Sequence, residues 1–246
     1  MARFFLPSDS WGEVAWLTGD EAKHLSQVLR IRAGDAVSVF DGQGRRARAT
    51  VREVARDRVC LELGAATFIA PCGPEMLLAL AIPKGKKMDL VVQKAVELGV
   101  SSIQPLVTRH TIVQPGEGKA DKWQRVALEA CKQSGLDHLP MVHEPLDFPA
   151  WLGALGQRNP AEQRLIASLA DGALPMRETL RNGGPGPSKI IILVGPEGDF
   201  TAAETEAARR AEFTPITLGP TVLRSETACL FCLSAARYEF EKINHQ

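Results

Sequence analysis

Beyond residue 75 the chain alternates between apolar runs and amphipathic ones, and this alternation restricts the fold more than any other feature. "MLLALAI" (76–82), "SIQPLVT" (102–108), "RLIASLA" (164–170), "KIIILV" (189–194) and "FTPITL" (213–218) read as strands that are apolar on both sides. Between and after them, "KKMDLVVQKAVEL" (86–98), "DKWQRVALEACKQS" (121–134), a segment from 201 and a last one from about 225 read as helices. A strand without a polar face needs cover on both sides, and intervening helices supply it. The expectation is an α/β domain built on a parallel sheet.

Residues 1 to 70 follow a different pattern. "RFFL", "EVAWL", "AVSVF", "RARATVREV" and "RVCLEL" are short, rich in β-branched and aromatic residues, and separated in places by "GD" or "DGQG". They predict a small β-barrel or sandwich. One helix interrupts them: "GDEAKHLSQVLR" places Ala22, Leu25, Val28 and Leu29 on one face, with acids at its start and Arg30 at its end, as the helix dipole favours. The small and breaking residues of "GAATFIAPCGPE" (64–75) mark the boundary, giving domains over 1–70 and 71–246. "RNGGPGPSK" (181–189) reads as a surface turn within the second.

Charge narrows the partners. Lys and Arg number 29 and so do Asp and Glu, so no global field draws the chain to nucleic acid or an anionic membrane, and any such partner must meet a local patch. Residues 24–60 provide one, with eight arginines (30, 32, 45, 46, 48, 52, 56, 58) against four acids (35, 41, 53, 57). "PKGKK" adds Lys84, Lys86 and Lys87 at the end of the first strand of the second domain. The longest apolar run falls well short of the roughly 20 residues that span a bilayer, and "MARFFLPSDS" lacks the apolar region of a signal peptide. A cytoplasmic location is expected. The five cysteines follow no framework spacing, which fits a reducing compartment. Cys229 and Cys232 form a C-x-x-C pair inside the apolar "TACLFCLSAA", where cysteine serves as a small hydrophobe. No histidine pair has helical metal-site spacing, and no metal is expected.

Two loops can carry chemistry, since ligands of open α/β sheets gather at the carboxyl ends of strands. The first is "GPEGDF" (195–200), leading into Thr201 and Glu204 as a capping box. The second is "LGPTVLRSETA" (218–228), entering the last helix with Ser225 as N-cap and Glu226 in the first turn. Neither phosphate-loop string, G-x-G-x-x-G or G-x-x-x-x-G-K-[ST], occurs, and Glu197 and Asp199 would repel a polyphosphate. The first loop suits a neutral or cationic ligand held by main-chain groups, such as adenosine carrying a sulfonium. The same residues also fit a tight turn with solvated acids.

The two loops together resemble the signature of the SPOUT methyltransferases, in particular the small-subunit ribosomal RNA uridine-N3 methyltransferase family. "HLSQVLRIRAGD" (24–35), "KKMDLVVQKAVELGVSSIQPL" (86–106) and "WQRVALEACKQSG" (123–135) stand in that family's order, so the likeness covers most of the chain. The resemblance implies a PUA-like β-barrel that binds RNA, a catalytic domain with a trefoil knot holding S-adenosylmethionine, and a homodimer. Carried onto matching positions, it implies cofactor contacts from Leu193, Gly195, Glu197, Gly198, Leu218, Gly219, Leu223 and Arg224. Two positions depart from the family pattern: Asp199 and Leu136 stand where glycine and arginine are usual. The first puts the local backbone in question, and the second requires a neighbour to take over any RNA contact.

The chemistry this implies is methylation of uridine N3 in small-subunit ribosomal RNA, which requires loss of the imide proton and stabilisation of the resulting anion. Arg224, always charged and rich in donors, is the candidate stabiliser. Glu197 or Glu226 is the candidate proton acceptor, provided burial raises its basicity. RNA contacts are expected from Arg30, Arg32, Arg45, Lys84, Lys86 and Lys87. The last helix reads as apolar almost all round, with Phe231, Leu233 and Tyr238 as candidates for a subunit interface. Two alternatives remain: methylation of another RNA atom, such as a ribose 2'-hydroxyl, and an inactive RNA-binding relative.

Overall fold

The computed structural model describes residues 1–112, 116–182 and 186–240, so part of the expected turn at 181–189 and the expected helix end beyond 240 lie outside the described residues. The chain divides into two units, Met1–Pro71 with Cys131–Leu139, and Cys72–Ala130 with Pro140–Gln246.

In the first unit, β1 (Arg3–Phe5), β2 (Val14–Thr18), β3 (Ala36–Phe40), β4 (Arg45–Val54), β5 (Arg58–Leu63) and β6 (Thr67–Phe68) form one sheet in the order β1-β3-β4-β5-β2, with β6 on β4. Period-two patterning decides what goes inside. Ala15 and Leu17 of β2, and Ala47, Ala49 and Val51 of β4, join Phe4, Leu25, Val37 and Leu61 in the core, while the residues between them face outward. The expected helix is shorter and wider than its spacing suggests: α1 (Gly19–Lys23) runs directly into a π-helical turn over His24–Val28. The Leu29 N–H reaches back five residues to the His24 carbonyl. That wider turn rotates the chain off the buried face. Ala22 and Leu25 are therefore buried, whereas Val28 and Leu29 are 69% and 43% exposed.

Segment 131–139 returns to this unit from the second. Buried Asp137 is ion-paired with Arg3 and with Arg46, and Lys132 Nζ lies 2.7 Å from Glu21 Oε1. Leu136, the residue standing in place of the family's arginine, offers its carbonyl to Arg3.

The second unit contains β7 (Glu75–Ala81), α2 (Lys87–Glu97), β8 (Ser102–Val107), α3 (Lys119–Ser134), β9 (Met141–Val142), β10 (Leu146–Asp147), α4 (Phe148–Ala154), β11 (Glu162–Ala167), β12 (Leu174–Pro175), α5 (Met176–Arg181), β13 (Lys189–Val194), α6 (Ala202–Arg210), β14 (Thr214–Thr217) and α7 (Ser225–Phe240). Its eight strands form a wholly parallel sheet, β10-β8-β7-β13-β11-β14-β12, with β9 beside β8. The doubly apolar strands occupy its centre, where both faces are covered. On one face Leu193, Ile191 and Ile166 pack with Phe148 and Trp151 of α4, Phe200, Ala208 of α6 and Phe213; α7 packs on β7 and β13 and against α2.

Two helices escape sequence reading. In α4, "FPAWLGA", Pro149 and Gly153 disguise the element; proline is tolerated there because it falls in the first turn. In α5 the run is only six residues long and follows Pro175. The last helix is buried along one side, not all round: Ala228, Cys229, Cys232, Leu233 and Ala236 are inside, while Phe231 is 45% and Tyr238 86% exposed. Leu233, expected at a subunit surface, lies in the unit's own core at 0% exposure. Among the described residues no helix is long and apolar enough to cross a membrane.

Candidate active site

Strands β11, β13 and β14 are parallel neighbours, so their carboxyl ends open on the same edge of the sheet. A cavity lies there. Its walls come from Ala167, Ser168 and Leu169 after β11, Val194 to Glu197 and Asp199 after β13, and Thr217 to Gly219, Thr221 to Ser225 and Ala228 around the end of β14 and the start of α7.

The loop after β13 is a closed turn as well as a cavity wall. The Asp199 N–H donates to the Pro196 carbonyl at 2.9 Å. Asp199 takes φ 56, a left-handed conformation that aspartate adopts more readily than most side chains. Its Oδ1 accepts the Phe200 N–H at 2.8 Å, so the departure from glycine is accommodated here by a local hydrogen bond. Phe200 then turns into the core, stacked on Phe148 with ring centroids 5.3 Å apart. The predicted capping box closes the loop: the Glu204 N–H donates to Thr201 Oγ1 at 3.2 Å and the Thr201 N–H to Glu204 Oε2 at 2.8 Å.

In the loop after β14, Gly219 has φ 118, a conformation that favours glycine. The Arg224 carbonyl accepts the Ala228 N–H at 2.8 Å, so Arg224 flanks the helix and Ser225, expected as its cap, is instead its buried first residue. The Arg224 side chain is exposed at the cavity and makes no hydrogen bond or ion pair among the described residues.

Lys87 joins the two loops. Its Nζ lies 3.3 Å from Glu197 Oε1 and 3.2 Å from Glu226 Oε1, and hydrogen bonds to Glu226 and then Glu197 raise its pKa. Lys87, expected from the sequence to contact RNA, thus bridges Glu197 of the cavity lining to Glu226 at the start of α7. Burial pushes the Glu197 carboxyl up, but hydrogen bonds from its own main chain, from Lys87 and from the Lys84 N–H outweigh this and hold it below its ordinary value. The condition set for Glu197 as a proton acceptor, a raised pKa, is not met. Glu226 Oε2 is buried without a hydrogen-bond partner among the described residues, and Glu226 lies behind the residues that line the cavity.

Of the positions expected to hold cofactor, Gly195, Glu197, Leu218, Gly219, Leu223 and Arg224 line the cavity. Leu193 does not: it points into the core at 0% exposure, and Val194 next to it reaches the wall. Gly198 borders a neighbouring cleft instead. Ala167, Ser168 and Leu169 were not anticipated, because their membership follows from the strand order. Elsewhere, Arg30 and Arg32 are exposed, Arg45 is 3.7 Å from Asp41 and lies over the Trp11 ring, and Lys84 and Lys86 are exposed. Cys229 and Cys232 are both fully buried, and burial raises both thiol pKa values, to about 12 for Cys232. Among the described residues no three His, Cys, Asp or Glu side chains converge to hold a metal ion.

The lining makes a chemical selection. Leu169, Val194, Leu218, Val222 and Leu223 offer apolar surface to a flat heterocycle, loop backbone offers hydrogen-bonding edges, and two carboxylates stand against one arginine. This composition disfavours a polyphosphate and fits a nucleoside bearing a positive centre.

Residues 71–237 match the family model described as the RNA methyltransferase domain, and residues 17–64 that of the RNA methyltransferase PUA domain. The chain is 29% identical to the ribosomal RNA small subunit methyltransferase E of Bacillus subtilis (strain 168), covering 92% of this chain and 90% of that one. It is 30% identical to the Synechocystis protein of the same name, over 86% of this chain and 69% of the other. A solved structure of ribosomal RNA small subunit methyltransferase E from Neisseria gonorrhoeae bound to S-adenosyl methionine is similar throughout, with a TM-score of 0.87, 30% identity, and coverage of 99% and 100%.

Proposed function

Because the chain belongs to the RNA methyltransferase family that carries a PUA domain, we propose that it transfers a methyl group from S-adenosylmethionine to N3 of a uridine in small-subunit ribosomal RNA. The observation that carries this reading is the convergence of the 195–199 and 217–225 segments on one cavity whose lining suits a cationic nucleoside. The relatives' names and the bound S-adenosyl methionine of the Neisseria structure support the substrate and cofactor.

S-adenosylmethionine, when bound, supplies an electrophilic methyl on sulfur. Backbone of Gly195 to Glu197 and of Leu218 to Gly219 would hold the nucleoside part, with Leu223 and Val222 against its ring. Arg224, exposed at the cavity and without a protein partner among the described residues, is free to neutralise the uracil anion as the imide proton leaves. Of Glu197 and Glu226, Glu226 is the better proton acceptor: its Oε2 lacks a partner among the described residues, whereas hydrogen bonds hold the Glu197 carboxyl below its ordinary pKa. A trefoil knot around the cofactor, a homodimer formed through the exposed Phe231 and Tyr238 side of α7, and a cytoplasmic location complete the proposal.

Incubating the protein with small-subunit ribosomal RNA and methyl-labelled cofactor, then analysing nucleosides, tests it. Label in 3-methyluridine is the expected result, and label in a 2'-O-methylnucleoside would overturn the assignment. Arg224→Ala should retain its fold yet lose about 100-fold or more in turnover. An unchanged rate would remove the role given to Arg224.

A further inference from the structure

A second cleft, of about 420 Å³, borders the same turn and shares Glu197 with the cofactor cavity. Its remaining lining is Lys84, Arg109, His110, Thr111, Ile112 and Gly198. Of its basic groups only Lys84 belongs to a charged run, "PKGKK"; Arg109 and His110 belong to "VTRHT", which has no motif of its own.

The turn that carries them is firmly built. Thr108 and Thr111 are buried, their hydroxyls lie 2.9 Å apart, the Thr108 N–H donates to Thr111 Oγ1 and the Thr111 N–H to the Thr108 carbonyl. The Arg109 N–H donates to Glu204 Oε1 at 2.9 Å, pinning the turn to the capping box of α6. His110 Nδ1 lies 2.8 Å from the Asp199 carbonyl oxygen, which can only accept, so Nδ1 carries the proton. The Lys84 N–H likewise meets Glu197 Oε1. Each residue is anchored by main chain or by one ring nitrogen. The Arg109 guanidinium and the Lys84 ammonium make no hydrogen bond or ion pair among the described residues, and both residues are exposed. The one acid in the lining, Glu197, is already engaged by Lys87. Two unneutralised cations, Arg109 on this turn and Lys84 on the segment between β7 and α2, thus border one cleft, the arrangement that suits a phosphate.

We propose that this cleft holds a backbone phosphate of the RNA beside the methylated nucleotide, gripped by Arg109 and Lys84. The inference rests on the RNA methyltransferase reading, and the shared Glu197 wall sets the grip next to the methyl donor.

Binding of a single-stranded ribosomal RNA fragment by the full chain, titrated over a range of salt, tests it without turnover. Arg109→Ala and Lys84→Ala should each weaken RNA about tenfold, the scale of one charge-assisted contact, and lower the salt slope by about 0.7 per phosphate released. Arg109→Lys should keep most of the slope, cofactor affinity should stay within about twofold, and Arg177→Ala, at an exposed position of α5, should match wild type. RNA affinity and slope equal to wild type in both alanine variants would overturn the proposal. So would inorganic phosphate binding that Arg109→Ala abolishes while leaving RNA binding intact. A wild type that binds RNA but transfers no methyl would sink the enzymatic reading alone, and the slopes would still decide this one.

Discussion

Gly195→Ala is expected to strain the fold and the cofactor cavity together, because the added methyl meets the core on one side of the loop and the turn on the other. A Cβ at this position stands 3.1 Å from Cδ2 and Cε2 of Phe200 and 3.2 Å from Asp199 Oδ1. Phe200 cannot yield freely: it is 8% exposed and packed on Phe148 within the cluster that also holds Leu193, Ala208 and Phe213. Asp199 Oδ1 cannot yield without releasing the Phe200 N–H. Overpacking of this kind costs about 1–3 kcal/mol. For a chain of this length each kcal/mol lowers the melting temperature by about 2–4 °C, so a fall of about 2–12 °C is expected. Movement of the turn should also raise the cofactor dissociation constant severalfold, read by calorimetry. Gly153→Ala is the contrast: nothing lies within 4 Å of its Cβ and it sits near the end of α4, so it should gain up to about 1 kcal/mol through helix propensity. A Gly195→Ala melting temperature within about 1 °C of wild type, with unchanged cofactor affinity, would refute the account of why this position is glycine.

Asp199→Gly should leave the melting temperature nearly unchanged, since relief of the left-handed backbone offsets loss of the Asp199–Phe200 hydrogen bond; each is worth about 1 kcal/mol. Glu197 contributes stability that is fully present above its ordinary pKa of 4.5 and is lost as pH falls through its depressed folded value. Glu197→Gln should therefore melt below wild type at neutral pH, with the gap closing in acid. In maleimide labelling followed by mass spectrometry, exposed Cys72 should react first, while buried Cys131, Cys229 and Cys232, whose thiols burial makes reluctant to ionise, should wait for unfolding. Phe231→Arg, on the exposed side of α7, should convert a dimer to a monomer in light scattering; a monomeric wild type would dismiss that interface.

Local patterning was enough to expose most of the architecture. The central strands are legible because burial on both faces leaves no polar alternate, and α6 because Thr201 and Glu204 close a capping box whose spacing is local. The two cavity loops were visible for the same reason: glycine and acid interrupt apolar strands within a few residues. Elements whose own residues contradict them, such as α4 with Pro149 and Gly153, stayed hidden.

Tertiary structure decided which side chains meet. Lys87, Glu197 and Glu226 come from an early helix, a late loop and the last helix, and their charges act as a unit only because β7 pairs with β13 and α2 packs beside α7. The β11 wall of the cavity depends on that strand lying between β13 and β14. The inward turn of Leu193 and the outward turn of Val28 follow from strand parity and from one π-helical turn, each a rotation about the chain axis. Periodicity within a segment is a near-neighbour property and survives in the linear chain; the partner across a sheet, and the charge state it imposes, exists only once distant segments have packed.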